Sequence, residues 1–328
     1  MMTAIADGSQ VAEARRLVGD FARLHGVPEP RRAQVAIVVT ELATNLLKHG
    51  GGGEVLADTF DDRDGVGLEL LALDRGAGMA DVERCLADGY STAGSPGNGL
   101  GAVMRLSDQV RIYSRPGRGT AIMARFVTQP PNRAPATQIG AAVATYPGET
   151  VCGDRWGLGY AQAGRTLLVV DGSGHGIEAA RAADIAVRIL HDRLDDSCER
   201  LVAQMHQALM PTRGAAIAVA RIDAVAHTVR YVGVGNISGL LFSGSTARHL
   251  VSNNGTAGHV APRIREFTYD FTGDPLVIMH SDGLSPKWDL GAYPGLATQH
   301  PSLIAGVLLR DWRRGRDDAS VVALRALS

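Results

Sequence analysis

Apolar residues at Val11, Ala14, Leu17, Val18 and Phe21 recur at the three-and-four spacing of one helical face. They predict a helix over 11–24. Pro28 and Pro30 interrupt the chain. Residues 32–49 then carry a nearly continuous apolar face and predict a second helix, ended by glycines 50–53 as glycine ends helices. Strands are expected at 54–60 and 66–73, a helix at 100–108, and a hairpin of 109–114 and 120–127 closed by the turn at 115–119. Helices with a meandering sheet predict an α/β sandwich whose helices lie on one face.

The second half has a different rhythm. Short apolar runs predict strands at 141–146, 155–161, 166–171, 215–223, 228–234, 238–243, 275–280 and 319–325. Helical spacing is present at 177–195, 198–210 and 301–312. Antiparallel sheets interrupted by paired helices predict a layered β-sandwich flanked by helices. Between the halves, PPNRAPAT at 130–137 is proline-rich without apolar periodicity and reads as a linker. The expected domains are 1–129 and 138–328. A length of 328 residues agrees with two domains of about 100–200 residues each.

Composition narrows the function classes. Hydrophobic residues at 45% and charged residues at 20% are ordinary for a globular chain. A net charge of -1 offers no basic surface for nucleic acid. No apolar run approaches the roughly 20 residues of a spanning helix, and MMTAIADGSQ lacks the charged and apolar regions of a signal peptide. Cys85, Cys152 and Cys198 are odd in number and far apart, which suits free thiols in a reducing cytoplasm. A cytoplasmic protein with neither nucleic-acid nor membrane partner is expected.

Glycine is abundant, at 40 residues, and its clusters mark candidate chemistry. On the second helix Glu41, Asn45 and His49 are four residues apart and share a face, with Lys48 beside them. A carboxylate and a carboxamide so placed suit Mg²⁺ and an oriented hydroxyl. DRGAGM at 74–79 ends a strand: Asp74 can accept from an exocyclic amine, and Gly76 and Gly78 let a flat ring approach. The loop STAGSPGNGLG at 91–101, with Gly97, Gly99, Leu100 and Gly101 before a helix, offers backbone N–H groups and a helix N-terminus to phosphate.

ELATNLLKH, DRGAGM and GNGLGA resemble the N, G1 and G2 boxes of the GHKL ATPase superfamily, most closely the anti-sigma-factor serine kinases and stress-pathway switch kinases. The likeness spans 11–127. It implies a Bergerat-type α/β sandwich that binds ATP with Mg²⁺. Asn45 would hold the Mg²⁺, Glu41 would act as general base or position water, and Asp74 would contact adenine. Gly97, Gly99 and Gly101 would line the ATP lid, and positioning with charge neutralisation would carry phosphoryl transfer.

Four acidic motifs follow in the second half: Gly153-Asp154, DGSGHG at 171–176, SDG at 281–283 and DDAS at 317–320. Three of them adjoin apolar strand-like runs, so their carboxylates can meet at one sheet edge. Each alone is an ordinary turn or cap. Together they suit Mg²⁺ or Mn²⁺, which favour oxygen donors and neutralise carboxylates that would otherwise repel. Ser173 near His175 makes no nucleophilic triad, because no G-x-S-x-G elbow is present. An all-oxygen surrounding also argues against zinc at His175.

The order of these motifs resembles the metal-dependent protein phosphatases of the PPM type, closest to the bacterial sporulation stage II E class and its compact stress-response members. The likeness spans 139–327 and implies an α-β-β-α sandwich with two Mn²⁺ or Mg²⁺ ions. Asp171 would bridge the ions and Gly172 would offer its carbonyl. Asp282 and Asp317 would complete one shell, and Asp154 would support waters or an ion. A metal-bound hydroxide would attack phosphoserine or phosphothreonine directly. Relatives in eukaryotes place a histidine directly after the DG pair; here His175 comes later, so either a general-acid or a loop-structuring role is open to it.

The combined expectation is an α+β protein that regulates a bacterial partner switch by reversible phosphorylation. Its expected partners are phosphorylated anti-anti-sigma (STAS-domain) proteins, and a sigma factor or another switch component. In the alternative expectation, the first domain is a non-catalytic, ATP-dependent binding module and the phosphatase is the only enzyme.

Overall fold

The structure, a computed structural model, describes residues 1–82, 99–131, 137–161, 164–244, 246–260 and 263–327. Gly97, most of the loop before residue 99, Cys85 and most of the 130–137 linker lie outside them. Two compact units are present: Met1–Pro135 with Asp289–Arg310, and Ala136–Trp288 with Asp311–Ser328.

In the first unit, β1 (Met2–Ile5), β2 (Gly53–Asp62), β3 (Gly65–Leu73), β4 (Gln109–Ser114) and β5 (Thr120–Gln129) form an antiparallel sheet in the order β1-β2-β3-β5-β4. Helix α1 (Gly8–Leu24) starts earlier than its apolar periodicity. The cause is a capping box: the Asp7 carboxylate accepts from the amides of Ser9 and Gln10 while the Gln10 side chain reaches back to the Asp7 amide. Helix α2 (Glu29–Gly50) ends at Gly51, whose φ of 68° suits glycine and whose N–H caps the Leu46 carbonyl. These helices and α3 (Gly99–Leu106) bury Val18, Leu42, Leu46 and Val103 against Leu68, Leu70 and Phe126 of the sheet.

Alternation along a strand sends Glu69, Leu71 and Leu73 to the other face, and that face is covered too. The covering segment comes from the far end of the sequence. Gly306 of helix α6 (Pro301–Trp312) approaches so closely that a Cβ there would lie 2.5 Å from Leu71 Cδ2 and 3.0 Å from Leu73 Cδ2. Arg310 donates to the Asp74 carbonyl at 2.9 Å, and Arg115 donates to the Ala292 carbonyl at 2.9 Å. The apolar pattern predicts helices on one face only; the 289–310 segment on the second face departs from that expectation.

The second unit stacks two antiparallel-based sheets. One runs β13-β10-β9-β8-β7 with β14 also on β10; the other runs β12-β11-β15-β16-β6. Their strands are β6 (Thr137–Ala144), β7 (Asp154–Ala161), β8 (Gly164–Gly172), β9 (Ala215–Asp223), β10 (Thr228–Val234), β11 (Ser238–Ser243), β12 (Thr246–Leu250), β13 (Ser252–Asn253), β14 (Phe267–Asp270), β15 (Leu276–His280) and β16 (Ala319–Ala326). Leu167 and Val169 point into the inter-sheet core with Ala218, Met279 and Val322. Their neighbours Leu168 and Val170 meet α4 (Ile177–Asp192) and α5 (Cys198–Leu209) through Ala183, Ala186 and Met205. Burial on both faces explains why TLLVVD is a continuous apolar run rather than an alternating one. Among the described residues no helix is long and apolar enough to cross a membrane.

Candidate metal centre and nucleotide pocket

Strand pairing brings the acidic motifs of the second unit to one end of its sandwich. Asp154 opens β7 and Asp171 lies near the end of β8; the two are direct cross-strand partners. In the other sheet, β15 and β16 pair with His280 opposite Val321, so Asp282, just after β15, and Asp317, just before β16, share an end.

Electrostatics register the convergence. Burial pushes the Asp171 pKa well above the usual carboxylate range, and the charges of Asp154, Asp282, Asp317 and Asp318 push it further. Asp154 is also raised, first by burial, with Asp318 and Asp317 adding repulsion against the opposing pull of the Ser281 and Ser320 hydroxyls. Both Asp154 carboxylate oxygens are buried, and neither reaches hydrogen-bond geometry with any described residue. Asp317 is raised by burial, held back by its bond from the Asp318 amide at 2.9 Å.

Asp318 carries more of the site than its motif suggests. It is buried, and it accepts from the Tyr146 amide at 2.7 Å and from the Gly153 amide at 2.8 Å. It therefore fixes the loop that delivers Asp154. The doubled aspartate of DDAS is the available signal, since adjacent residues at a strand start point opposite ways. Asn236 lies outside every motif; its side chain donates to Asp282 Oδ2 at 2.7 Å. Gly172 has no room for a side chain, because a Cβ would lie 2.1 Å from the Ala179 carbonyl of α4. His175 sits 2.7 Å from Glu149 and stacks on Tyr146 at 4.5 Å between ring centroids. These contacts tie down its loop.

A cluster of mutually repelling carboxylates, with Asp154 buried and its oxygens unpartnered among the described residues and Asp171, Asp282 and Asp317 half-buried, fits hard divalent cations. The donor set is all oxygen, as Mn²⁺ or Mg²⁺ requires.

The nucleotide motifs also meet. Glu41 and Asn45 share the α2 face that α3 abuts: a Cβ on Gly99 would lie 2.9 Å from Glu41 Oε2 and 3.5 Å from Asn45 Oδ1. The Asn45 amide nitrogen is buried without a hydrogen-bond partner among the described residues. At the end of β3, Asp74 accepts from the amides of Gly76 at 2.8 Å and Thr120 at 3.2 Å. Its pKa is raised by burial against these bonds and the charges of Arg310 and His49. The end of α2 meets this turn. A Cβ on Gly76 would lie 2.3 Å from the His49 carbonyl, and Gly78, at φ 68°, would bring one within 2.0 Å of the Arg115 carbonyl. Lys48 and His49 are exposed, Leu100 is half-buried and Gly101 is buried.

The Stage II sporulation protein E (SpoIIE) family matches residues 162–327. The chain belongs to the SpoIIE family. Ahead of this SpoIIE region, the Histidine kinase-like ATPase domain family matches residues 5–126. The serine/threonine-protein kinase RsbT of Bacillus subtilis (strain 168) is 34% identical over 114 residues, covering 35% of this chain and 86% of RsbT. Among solved structures, one described as "The bacterial stressosome: a modular system that has been adapted to control secondary messenger signaling" aligns with a TM-score of 0.55 at 25% identity, over 58% of this chain and 99% of that one. A crystal structure of RsbX in complex with magnesium aligns with a TM-score of 0.52 at 18% identity, over 58% of this chain and 94% of RsbX, and shares its fold. This SpoIIE-family chain is a protein serine/threonine phosphatase joined to a kinase-like ATPase domain, and it resembles partner-switching regulators.

Proposed function

We propose that the chain dephosphorylates a phosphoserine- or phosphothreonine-bearing STAS-domain protein, and that its first domain binds ATP–Mg²⁺ and phosphorylates a component of the same switch. Its functional domains are 1–129 and 138–328, joined by a linker at 130–137. The observation that carries the phosphatase reading is the meeting of Asp154, Asp171, Asp282 and Asp317 at one end of the sandwich.

In this reading Asp171, the Gly172 carbonyl, Asp282 and Asp317 would hold two divalent ions, and Asp154 would support their surroundings. Two Mn²⁺ or Mg²⁺ ions there supply an activated water and neutralise the phosphoryl group. Asn236 orients Asp282, and Asp318 keeps the Asp154 loop in place. In the ATPase domain, Asn45 holds the nucleotide's Mg²⁺, Glu41 positions the acceptor hydroxyl, Asp74 takes the adenine amine, and the start of α3 at Gly99, Leu100 and Gly101 receives phosphate.

The test is a paired assay on the full chain with STAS proteins of the same organism. Mn²⁺-dependent release of phosphate from the phosphorylated partner is expected, together with transfer from radiolabelled ATP to the unphosphorylated one. ATP binding without transfer would reduce the first domain to a binding module. No metal-dependent release would overturn the phosphatase assignment.

A further inference from the structure

A second set of metal-ligand side chains lies in the first unit. Asp62 and Asp64, at the tight turn between β2 and β3, meet His300, just ahead of α6. One ligand atom from each lies within 4.8 Å of the others, and this is the one such group among the described residues. Asp62 is fully buried and His300 is 7% exposed.

Two features point to a bound cation. First, His300 Nε2 is buried, has no hydrogen-bond partner among the described residues, and faces Asp64 Oδ2 at 3.7 Å. That is too long for a charge-assisted N–H···O bond, which closes to about 2.7–2.9 Å. It suits two donors on one ion, which at bonds near 2.1 Å sit roughly 3–4 Å apart. Second, the imidazole is oriented from behind. The Ser302 hydroxyl donates to Glu69 Oε2 at 2.7 Å and lies 3.1 Å from His300 Nδ1, from which it accepts when that nitrogen carries the proton. A histidine whose Nδ1–H is engaged presents its Nε2 lone pair forward, as metal-ligating histidines do.

The surrounding groups complete the picture. Arg125 bonds Glu69 Oε2 through Nε at 2.6 Å and Asp62 Oδ2 through Nη1 at 2.9 Å, and its Nη1 lies 3.6 Å from Asp64 Oδ2. Asp62 Oδ1 accepts from the Asp64 amide at 2.9 Å. One guanidinium thus stands among three carboxylates, hydrogen-bonded to two and ion-paired with the third. With the proton on Nδ1, the Nε2 lone pair faces Asp64, and a cation bound by both would replace that repulsion with two ligand bonds.

We infer that Asp62, Asp64 and His300 bind a divalent transition-metal ion, Zn²⁺ or Mn²⁺, that fastens the 289–310 segment to the β2–β3 turn. The competing arrangement has the Ser302 amide, 3.2 Å from Nδ1, donating to that nitrogen. Nε2 would then carry the proton and face Asp64 as a simple ion pair.

The experiment uses nucleotide-free full chain carrying Asp171→Asn and Asp282→Asn, which cripple the other acidic cluster. After treatment with EDTA and dialysis, Zn²⁺ or Mn²⁺ is added and the protein is desalted. The expected result is one retained ion per chain by elemental analysis and a raised melting temperature. His300→Gln and Asp64→Asn should each weaken binding at least tenfold. X-ray absorption of the zinc-loaded parent should show imidazole in the ligand shell, which decides the matter even if a variant fails to fold. Retention of no ion, or of an ion without imidazole ligation, overturns the site and leaves the ion pair.

Discussion

Asp171 is held above the ordinary carboxylate range by burial and by the charges of Asp154, Asp282, Asp317 and Asp318, so its removal should be felt in chemistry before stability. Asp171→Asn is expected to lose more than about 3 kcal/mol of transition-state stabilisation, roughly a hundredfold or more in kcat/KM. Mn²⁺-dependent hydrolysis of p-nitrophenyl phosphate, with circular dichroism as the folding control, checks this. The same shifts set a pH dependence. Asp154 and Asp171 bind protons more tightly folded than unfolded, so the metal-free fold is steadied below the unfolded value near 4 and loses that stability as pH rises through the raised folded values. The melting temperature of EDTA-treated protein should fall from pH 5 to pH 9, and Mn²⁺ should restore more of it at the alkaline end. A flat profile would contradict the clustering. Asp318 acts differently, through two backbone amides. Asp318→Asn turns a donor toward one of them, and a destabilisation of about 1–3 kcal/mol is expected in urea melts.

At the level of elements, the two glycine motifs of the nucleotide pocket should respond in opposite ways to alanine. At Gly99 the obstructing atom is the end of the Glu41 side chain, 2.9 Å from where a Cβ would sit. That carboxylate can swing aside, so Gly99→Ala should weaken ATP binding by calorimetry and leave the melting temperature nearly unchanged. At Gly78 the obstruction is the Arg115 carbonyl at 2.0 Å and φ is 68°, so Gly78→Ala strains backbone and should lower the melting temperature itself. Equal thermal effects would refute this distinction. These motifs were legible because their residues are local: Glu41 and Asn45 share a helix, and Asp74 with its glycines shares a turn. The long strands were legible from apolar runs such as TLLVVD. Strands β12 to β14 were not, because Thr246–Leu250 reads as TARHL, largely exposed, and β13 spans two residues. Asp318 left only the doubled aspartate of DDAS as a signal, and Asn236 left none, because its role rests on Asp282, more than forty residues away in sequence.

For the molecule as a whole, the sequence holds one clue to the placement of α6. LELLAL in β3 is apolar at nearly every position, which is what a strand covered on both faces requires, whereas a sheet with helices on one face alone would alternate. The second cover is the 289–310 segment, which belongs by sequence to the SpoIIE region and by packing to the first unit. Every residue of α6 from Pro301 to Arg310 is buried. Cutting the chain at the proline-rich linker would therefore strip Leu71 and Leu73 of Gly306, the Asp74 carbonyl of Arg310, and Glu69 of Ser302. Fragment 138–328 would keep α6 with its sheet-facing side exposed to water, an apolar patch that favours association. Expressed separately, 138–328 should melt below the full chain and elute as aggregates on gel filtration, and 1–129 should melt below the same unit in the full chain. Adding the two fragments together should recover part of the melting temperature. A monomeric 138–328 with the full chain's melting temperature and Mn²⁺-dependent activity would show that the shared segment contributes little to either half.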